Sequence, residues 1–269
     1  SGAELTAVLE NIHRHFPVGN DAEITLEANP DDVSPESLNN WKSAGINRLS
    51  LGVQSFFPED LRWMNRAHNE KQALNSIRNA QAAGLNNISI DLIYGLPDLP
   101  DGRWKENIET AVSLGIPHLS CYALTVEPKT ALYKRIEQGK MQDIVPGNQA
   151  RQFLAGIQWL GEWGYEHYEI SNFALPGWHS RHNSSYWQGS PYLGLGPSAH
   201  SFNGASRQWN VASNAQYIKS IAAGAIPFEM ETLTAAMQFN EYIMTALRTS
   251  AGCNLEWVAE KFGTALAAN

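Results

Sequence analysis

The sequence has little of what several classes of protein require. It contains only two cysteines, Cys121 and Cys253, too few for a disulfide-dense secreted scaffold, so we expect a reducing, cytoplasmic location. No apolar run approaches the roughly 18 residues that suggest a membrane span. The net charge is -8 and no Lys/Arg-rich run occurs. This charge argues against nucleic acid as the main partner, because proteins that bind a nucleic-acid backbone carry basic surfaces.

The sequence does contain a repeated connection from a helix to a strand. Four segments share a helical end, a glycine, a short link and a β-rich run, and the glycines are Gly45, Gly84, Gly115 and Gly164. Glycine suits the left-handed position just after a helix. The predicted strands are 23–29, 46–53, 88–94, 118–126 and 166–171. The predicted helices are 34–44, two within 58–84, 103–114 and 148–163. Strands that alternate with helices predict an α/β fold with parallel strands and right-handed crossovers.

The sequence constrains the arrangement of the strands less than it constrains the α/β class. A doubly wound dinucleotide fold has no positive support, because no G-x-G-x-x-G motif follows the first predicted strand. Five strands are too few for an eight-stranded barrel. A partial barrel fits better if further strands precede this chain. The apolar residues of 5–16 fall at helical spacing, and we expect the chain to be an internal portion of a longer protein that begins at this helix.

Polar residues interrupt the apolar strands near the points where those strands end. They are Glu27, Gln54, Asp91 and Glu127. A buried carboxylate needs a partner, and ligands of parallel βα folds bind at the carboxyl ends of the strands. Four such residues therefore predict a shared polar ligand, although each could instead cap a neighbouring loop. Arg66, in the helical stretch after the second strand, is either a fork for a carboxylate or a solvated surface cation.

Three stretches together resemble one protein family. They are EITLEANPDDVSPESLNNWKSAGINRLSLGVQSF, SIDLIYGLP and LSCYALTVEPKTALY. They resemble the coproporphyrinogen-oxidase-like branch of the radical S-adenosylmethionine (SAM) proteins, over about residues 23–204 and more weakly through FNEYIMTALRTSAG. The motifs are specific only in combination. Within that branch the chain is similar to the HemW-type haem chaperones.

The resemblance implies a partial (β/α)6 TIM-like barrel that lacks its first strands in this chain and binds SAM at its strand ends. By position, Glu27, Gln54, Arg66 and Asp91 match family residues that contact SAM. Thr125 matches a position where the backbone approaches SAM. The resemblance assigns the methionine carboxylate to Arg66, and the ribose hydroxyls or the amino group to the acids.

The family also uses a 4Fe-4S cluster, which three cysteines hold, usually in a C-x3-C-x2-C motif. No such motif occurs here, although thiolates are the usual ligands of these clusters. We expect the cluster only in a full-length protein whose first strands carry the cysteines, and we expect this chain alone to be catalytically inactive. A naturally clusterless member is the alternative. Cys121 is predicted to be a small buried strand residue, and no role is assigned to Cys253.

The stretch RHNSSYW carries a second motif of the family. HemW-type proteins have an H-N-x-x-Y-W motif that is implicated in haem binding. The matching residues are His182, Asn183, Tyr186 and Trp187. Imidazole is a common axial ligand of haem iron, so the resemblance implies haem binding with His182 as the iron ligand. The alternative is a docking loop in which His182 is solvated. His179 and His200 rank below His182 as candidates.

Three functions remain open at this point. The first is a haem-binding chaperone that delivers haem to acceptor apoproteins and binds SAM. The second is an oxygen-independent coproporphyrinogen III oxidase, and the third is a clusterless interaction domain on the same scaffold. The predicted domains are 1–204 for the partial barrel and its extension, 205–231 for a connecting segment, and 232–269 for the start of a small C-terminal helical domain.

Overall fold

The chain forms two compact units that divide between His179 and Ser180. The computed structural model describes residues 2 to 264. We call the part up to His179 unit 1 and the part from Ser180 unit 2. The domain boundaries that the sequence suggests at 204/205 and 231/232 stay predictions. No helix within residues 2 to 264 is long and apolar enough to cross a membrane.

Unit 1 is built on one six-stranded sheet. Its strands are β1 (Thr25–Ala28), β2 (Arg48–Gln54), β3 (Ile88–Tyr94), β4 (His118–Ala123), β5 (Glu166–Glu169) and β6 (Asn172–Ala174). The strand order is β1-β2-β3-β4-β6-β5, and β1 to β4 pair in parallel. Helices connect these parallel strands, which confirms the predicted α/β class. The carboxyl ends of four strands therefore meet at one edge of the sheet.

The helices of unit 1 follow capping signals in the sequence. They are α1 (Gly2–His15), α2 (Pro35–Ser43), α3 (Pro58–Trp63), α4 (Glu70–Ala82), α5 (Asp101–Ser113), α6 (Ala131–Glu137) and α7 (Pro146–Glu162). At the start of α2, the side chains of Ser34 and Ser37 each accept a hydrogen bond from the other's backbone amide, which satisfies two otherwise unpaired donors. Gly45, just after α2, has a φ of 99°, the left-handed conformation predicted there. The other three repeat glycines also have positive φ.

The core of unit 1 lies on one face of the sheet. Leu49 and Leu51 of β2, and Ile90 and Leu92 of β3, have no exposed surface. Side chains alternate between the two faces of a strand, so the residues between these positions face the opposite side. Burial of the apolar set stabilises the fold by about 1.5–3 kcal/mol per large side chain and fixes which residues form the opposite face.

The last two strands depart from the predicted parallel sheet. The predicted strand 166–171 contains β5 and a turn, and β6 lies beyond it. β5 pairs antiparallel with β6, and β6 pairs antiparallel with β4. Only Ile170 and Ser171 link β5 to β6. A two-residue link makes a hairpin, whereas parallel neighbours need a crossover of a dozen or more residues. The expectation of parallel pairing is therefore wrong at this edge.

Unit 2 carries a small antiparallel sheet and several helices. Its elements are α8 (Arg181–Trp187), β7 (His200–Phe202), β8 (Ser206–Asn210), α9 (Asn214–Ala222), β9 (Phe228–Thr232), α10 (Ala235–Ala246) and α11 (Leu255–Phe262). The strand order is β7-β8-β9, with both pairs antiparallel. The sequence predicted none of these strands. Helices α10 and α11 lie within the segment that the sequence predicted to be helical.

Candidate functional site

The sheet of unit 1 has a polar face opposite its core. Along β3, Ser89 and Asp91 alternate with the buried apolar residues. The parallel register places Ser89 beside His118 and Asp91 beside Ser120, so that four polar side chains share one face. We call this surface the polar face.

The carboxyl group of Asp91 lies on the polar face in an unusual environment. Burial is the largest influence and raises its pKa to about 6. A hydrogen bond from Ser120 opposes this rise, the negative charge of Glu27 adds to it, and the positive charges of Arg48 and Arg66 oppose it. The structure thus brings three of the predicted ligand residues, Glu27, Arg66 and Asp91, within electrostatic range of one another. A carboxyl with this pKa is able both to accept and to donate a hydrogen bond near neutral pH.

Arg66 is held at the end of β2 by a small polar cluster. Its Nη2 donates to Oδ1 of Asn29 at 2.7 Å and to the carbonyl oxygen of Gly52 at 3.4 Å. A Cβ atom at Gly52 would lie 3.0 Å from Nε2 of Gln54 and 3.5 Å from Nη2 of Arg66. A side chain at position 52 would therefore crowd both of these groups. Gln54 itself has a φ of 65°, a conformation that side-chain-bearing residues seldom adopt.

The guanidinium of Arg66 has spare hydrogen-bonding capacity. Its Nε is buried and has no hydrogen-bond partner among the described residues. A buried donor of this kind is rare and needs an explanation, such as a ligand that supplies the acceptor. Asn29 belongs to the same cluster, and the sequence did not predict it as a ligand residue. The only signal for it is an amide residue directly before Pro30 at the end of β1.

The two remaining strand-end candidates lie apart from this cluster. The hydroxyl of Thr125 donates to the carbonyl oxygen of Ala123 at 3.4 Å. The carbonyl oxygen of Glu127 accepts a hydrogen bond from the hydroxyl of Thr130 at 2.7 Å. Both residues are exposed, and within residues 2 to 264 no hydrogen bond or ion pair joins them to Arg66 or Asp91. The structure therefore shows local turn contacts at Thr125 and Glu127.

The buried histidine of the polar face, His118, was not predicted. Nδ1 of His118 is 2.7 Å from Oγ of Ser89, and its Nε2 is 2.7 Å from the hydroxyl of Tyr168. Oγ of Ser89 is in turn 3.4 Å from Oγ of Ser120. Burial lowers the pKa of His118 to about 3, and the charge of Arg48 adds to this effect. His118 is therefore neutral at physiological pH and links Tyr168 to the side chains beside Asp91.

The two cysteines of the chain do not lie together. Cys121 is buried in β4, as predicted, and burial raises the pKa of its thiol. Cys253 is partly exposed and lies between α10 and α11. Within residues 2 to 264 no group of three or more His, Cys, Asp or Glu residues is arranged to hold a metal ion. The donor set of the described residues does not fit a cluster bound by three thiolates.

The H-N-x-x-Y-W motif forms helix α8 rather than a loop. The side chain of Ser180 caps the helix by accepting a hydrogen bond from the amide of Asn183 at 3.1 Å. The ring of His182 contacts the ring of Tyr186 edge to face, with a centroid separation of 5.0 Å. Residues four apart share one face of a helix, which explains this contact. His182 and Tyr186 are exposed, and Asn183 is partly buried.

Tyr186 and Trp187 line a cavity of about 480 Å³ inside unit 2. His182 and Asn183 do not line it. The aromatic lining comes from four elements and the segment between α8 and β7. These side chains are Tyr186, Trp187, Tyr192, Phe202, Tyr242 and Trp257. The structure thus divides the motif into two cavity-lining residues and two that lie outside the lining.

The two other histidine candidates have structural contacts of their own. Nε2 of His179 is 2.8 Å from a carboxylate oxygen of Glu166, and its ring stacks on Tyr168 with a centroid separation of 4.2 Å. His200 lies in β7 with its ring centroid 6.3 Å from that of Trp209. His179 belongs to unit 1, whereas the H-N-x-x-Y-W motif belongs to unit 2.

The chain is similar to known proteins over most of its length. The profile of the radical SAM superfamily matches residues 2–111. The haem chaperone HemW of Bacillus subtilis (strain 168) is 37% identical over 268 residues, which cover 99% of this chain and 71% of the relative. The haem chaperone HemW of Mycobacterium tuberculosis (strain ATCC 25618 / H37Rv) is 34% identical, with coverage of 94% and 65%.

A solved structure shows the same fold. The radical SAM enzyme coproporphyrinogen III oxidase (HemN) from Escherichia coli superposes with a TM-score of 0.82 at 22% identity. The match covers 97% of this chain and 63% of the HemN chain. At this identity the likeness is evidence of fold. The chain spans about two thirds of the length of the proteins that it matches.

Proposed function

The chain belongs to the HemW family of radical SAM proteins, and from this membership we propose that it binds SAM at the polar face of unit 1 and haem in unit 2, as a haem chaperone. Its relatives bear the name haem chaperone. The proposed SAM site rests mainly on Arg66, whose buried Nε has no hydrogen-bond partner among the described residues. Gln54 and Asp91 lie in the same region. The haem part rests on the match of the H-N-x-x-Y-W motif in α8.

Arg66 is the proposed partner of the methionine carboxylate of SAM. One of its nitrogens is already fixed by Asn29, which orients the planar group and reduces the entropy lost on binding. The buried Nε then gains the acceptor that it lacks. Arg66 would thereby set the direction in which the ligand enters the polar face.

The remaining polar groups would orient the rest of the ligand. Glu27 and Asp91 suit the ribose hydroxyls or the amino group, because carboxyl oxygens accept hydrogen bonds from both. The amide of Gln54 points into the same cluster, and Thr125 offers backbone atoms at the same edge of the sheet. When bound, SAM supplies a reactive sulfonium centre, and the residues of this chain hold and orient it.

A 4Fe-4S cluster is a different case. Cys121 is buried in the sheet and its raised pKa keeps it as a thiol, and Cys253 lies in the other unit. These two residues do not fit the family's cluster, so the chemistry proposed for this chain is ligand binding alone.

For haem, His182 is the proposed iron ligand. Its imidazole is exposed, and Tyr186 packs against it edge to face, which restricts the orientation of the ring. Trp187 and Tyr186 offer aromatic surface next to it, and aromatic rings pack well against a planar conjugated ligand. Delivery of haem to an acceptor apoprotein is the role that the family name suggests for such a complex.

Titration with haem tests the proposal. We expect the wild-type chain to bind haem with a shifted Soret absorbance band. His182→Ala should change that spectrum and weaken binding, because an iron ligand is lost. His15→Ala, at an exposed position in α1, is the matched control and should bind as the wild type does. Identical spectra and affinities for His182→Ala and the wild type would remove His182 from the site. Anaerobic decarboxylation of coproporphyrinogen III by a full-length protein that carries the cluster cysteines would favour the oxidase alternative.

A further inference from the structure

The cavity of unit 2 has a chemical character that the H-N-x-x-Y-W motif does not explain. Most of its lining lies outside the motif, and about half of the lining comes from β7, β8, α10 and α11. Three charged side chains join the aromatic ones, and these are Arg207, Glu241 and Lys261. A volume of about 480 Å³ falls in the usual range for cavities that hold cofactor-sized ligands, about 300–1,000 Å³.

Two of the three charges neutralise each other. Arg207 donates to both carboxylate oxygens of Glu241, at 3.1 and 3.0 Å. This two-point geometry is the strongest form of an ion pair between side chains. The pair therefore leaves little net charge at these two residues, and it joins β8 to α10.

Lys261 is the remaining charge in the cavity. Its ammonium lies 4.7 Å from the ring centroid of Trp257 and 5.4 Å from that of Phe262. Within residues 2 to 264 no carboxylate lies within ion-pair distance of it. The aromatic rings hold the cation in place without neutralising its charge. The cavity therefore combines aromatic walls with one uncompensated positive charge.

We propose that this cavity binds the conjugated ring of a tetrapyrrole and that Lys261 binds one of the carboxylates on the ring's edge. The proposal rests on the proposed haem function and adds the part of the protein that holds the macrocycle. Trp257 and Tyr242, whose ring centroids are 4.3 Å apart, offer aromatic surface at the same wall as Lys261. Because His182 lies outside the lining, binding of the ring and ligation of the iron are assigned to different residues.

Metal-free protoporphyrin IX is the probe that separates these two roles, because it has the ring and the carboxylates but no iron. The full chain is titrated and the porphyrin's absorbance and fluorescence give Kd. We expect wild type and His182→Ala to bind this probe equally. Lys261→Glu should weaken binding by about tenfold or more, because a favourable charge pair becomes a repulsive one. Lys261→Arg should retain most of the affinity.

A matched control is available on the same unit. Lys219 is exposed on α9 and does not line the cavity, so Lys219→Glu makes the same charge change elsewhere and should bind as the wild type does. Trp257→Leu tests the aromatic wall and should also weaken binding by about fivefold or more. Circular dichroism of each variant checks that it is folded. Lys261 is exposed, so we expect its variants to fold. They still test the proposal if Trp257→Leu fails to fold.

The outcomes separate this inference from the haem proposal. Haem binding that depends on His182, combined with no binding of protoporphyrin IX, would overturn the cavity proposal and leave the haem function intact. Equal protoporphyrin affinity for the wild type and Lys261→Glu would also overturn it. Failure of the wild-type chain to bind either haem or the porphyrin would count against the proposed function itself.

Discussion

His118 and Tyr168 are joined by a buried hydrogen bond of 2.7 Å between Nε2 and the tyrosine hydroxyl. The other ring nitrogen of His118 contacts Ser89, which leads through Ser120 to the carboxyl of Asp91. An ionised carboxylate only accepts hydrogen bonds, so with Asp91 ionised the donors in this series all point towards it. Tyr168 then donates to Nε2, and Nδ1–H of His118 donates to Ser89.

The tautomer of His118 should therefore follow the protonation of Asp91. When Asp91 gains a proton, it can donate to Ser120, and the whole series reverses so that Nε2 of His118 carries the hydrogen. Because the pKa of Asp91 is about 6, we expect the Nδ1–H form at pH 8 and the Nε2–H form near pH 5. Nitrogen-15 NMR of the histidine side chains distinguishes them. The same tautomer at both pH values would contradict the prediction, and Asp91→Asn should abolish the change.

Asp91 should also make stability depend on pH. Its pKa in the folded chain is about 6, above the ordinary value of 3.8, so the folded state disfavours the ionised form. The stabilising contribution is present below pH 4 and is lost as the pH rises through 6. Relative to wild type, Asp91→Asn should gain about 2–3 kcal/mol of unfolding free energy between pH 4 and pH 8.

Urea unfolding of both proteins at several pH values measures this difference. His118 has a depressed pKa and acts in the opposite direction, since its contribution is lost as the pH falls below about 6.5. To first order both proteins lose the same stability through His118, so the difference between them reports the contribution of Asp91. If the difference in unfolding free energy between the two proteins does not vary with pH, folding does not raise the pKa of Asp91.

Arg66→Lys should weaken SAM binding by about tenfold or more. A lysine ammonium lacks the planar guanidinium that can donate two parallel hydrogen bonds to one carboxylate. Isothermal titration calorimetry with SAM measures the effect. Arg62→Lys is the control, since Arg62 is exposed on α3 and pairs only with Glu59 at 3.7 Å among the described residues. Equal affinities for Arg66→Lys and Arg62→Lys would exclude Arg66 from the carboxylate site.

The two thiols should react at very different rates. Cys121 is buried and its pKa is raised, so little thiolate forms and no reagent reaches it. Cys253 is only partly buried. Iodoacetamide should therefore label one site in the native chain and two in urea, as mass spectrometry would show. Rapid labelling of Cys121 in the native chain would mean that the sheet opens at β4.

Local sequence patterns predicted much of unit 1. The four glycines after helices and the alternating residues of β2 and β3 are short-range signals, and each acts within a few residues of its own position. The hairpin of β5 and β6 was missed because the predicted strand ran through the turn at Ile170 and Ser171, and no strand was predicted at Asn172–Ala174. Its two-residue break has no glycine or proline to mark it.

The candidate sites were predicted less completely, for a physical reason. Asp91 and Arg66 stood out as charges near strand ends, but His118 and Tyr168 meet across 50 residues, which no periodicity encodes. Lys261 would pass for an ordinary surface lysine, because only the packing of α11 shows that it faces the aromatic cavity. Long-range packing decides both contacts.

At position 54 the fold gives up local stability to keep an amide group. The backbone of Gln54 adopts a φ of 65°, which costs a side-chain-bearing residue about 1–2 kcal/mol and glycine almost nothing. Glycine would thus be the easier residue at this turn, yet it would remove the amide that lies beside Gly52. The backbone conformation thus favours glycine at this position, whereas the proposed site uses the side-chain amide of Gln54. That conflict supports the ligand-binding role proposed for the end of β2.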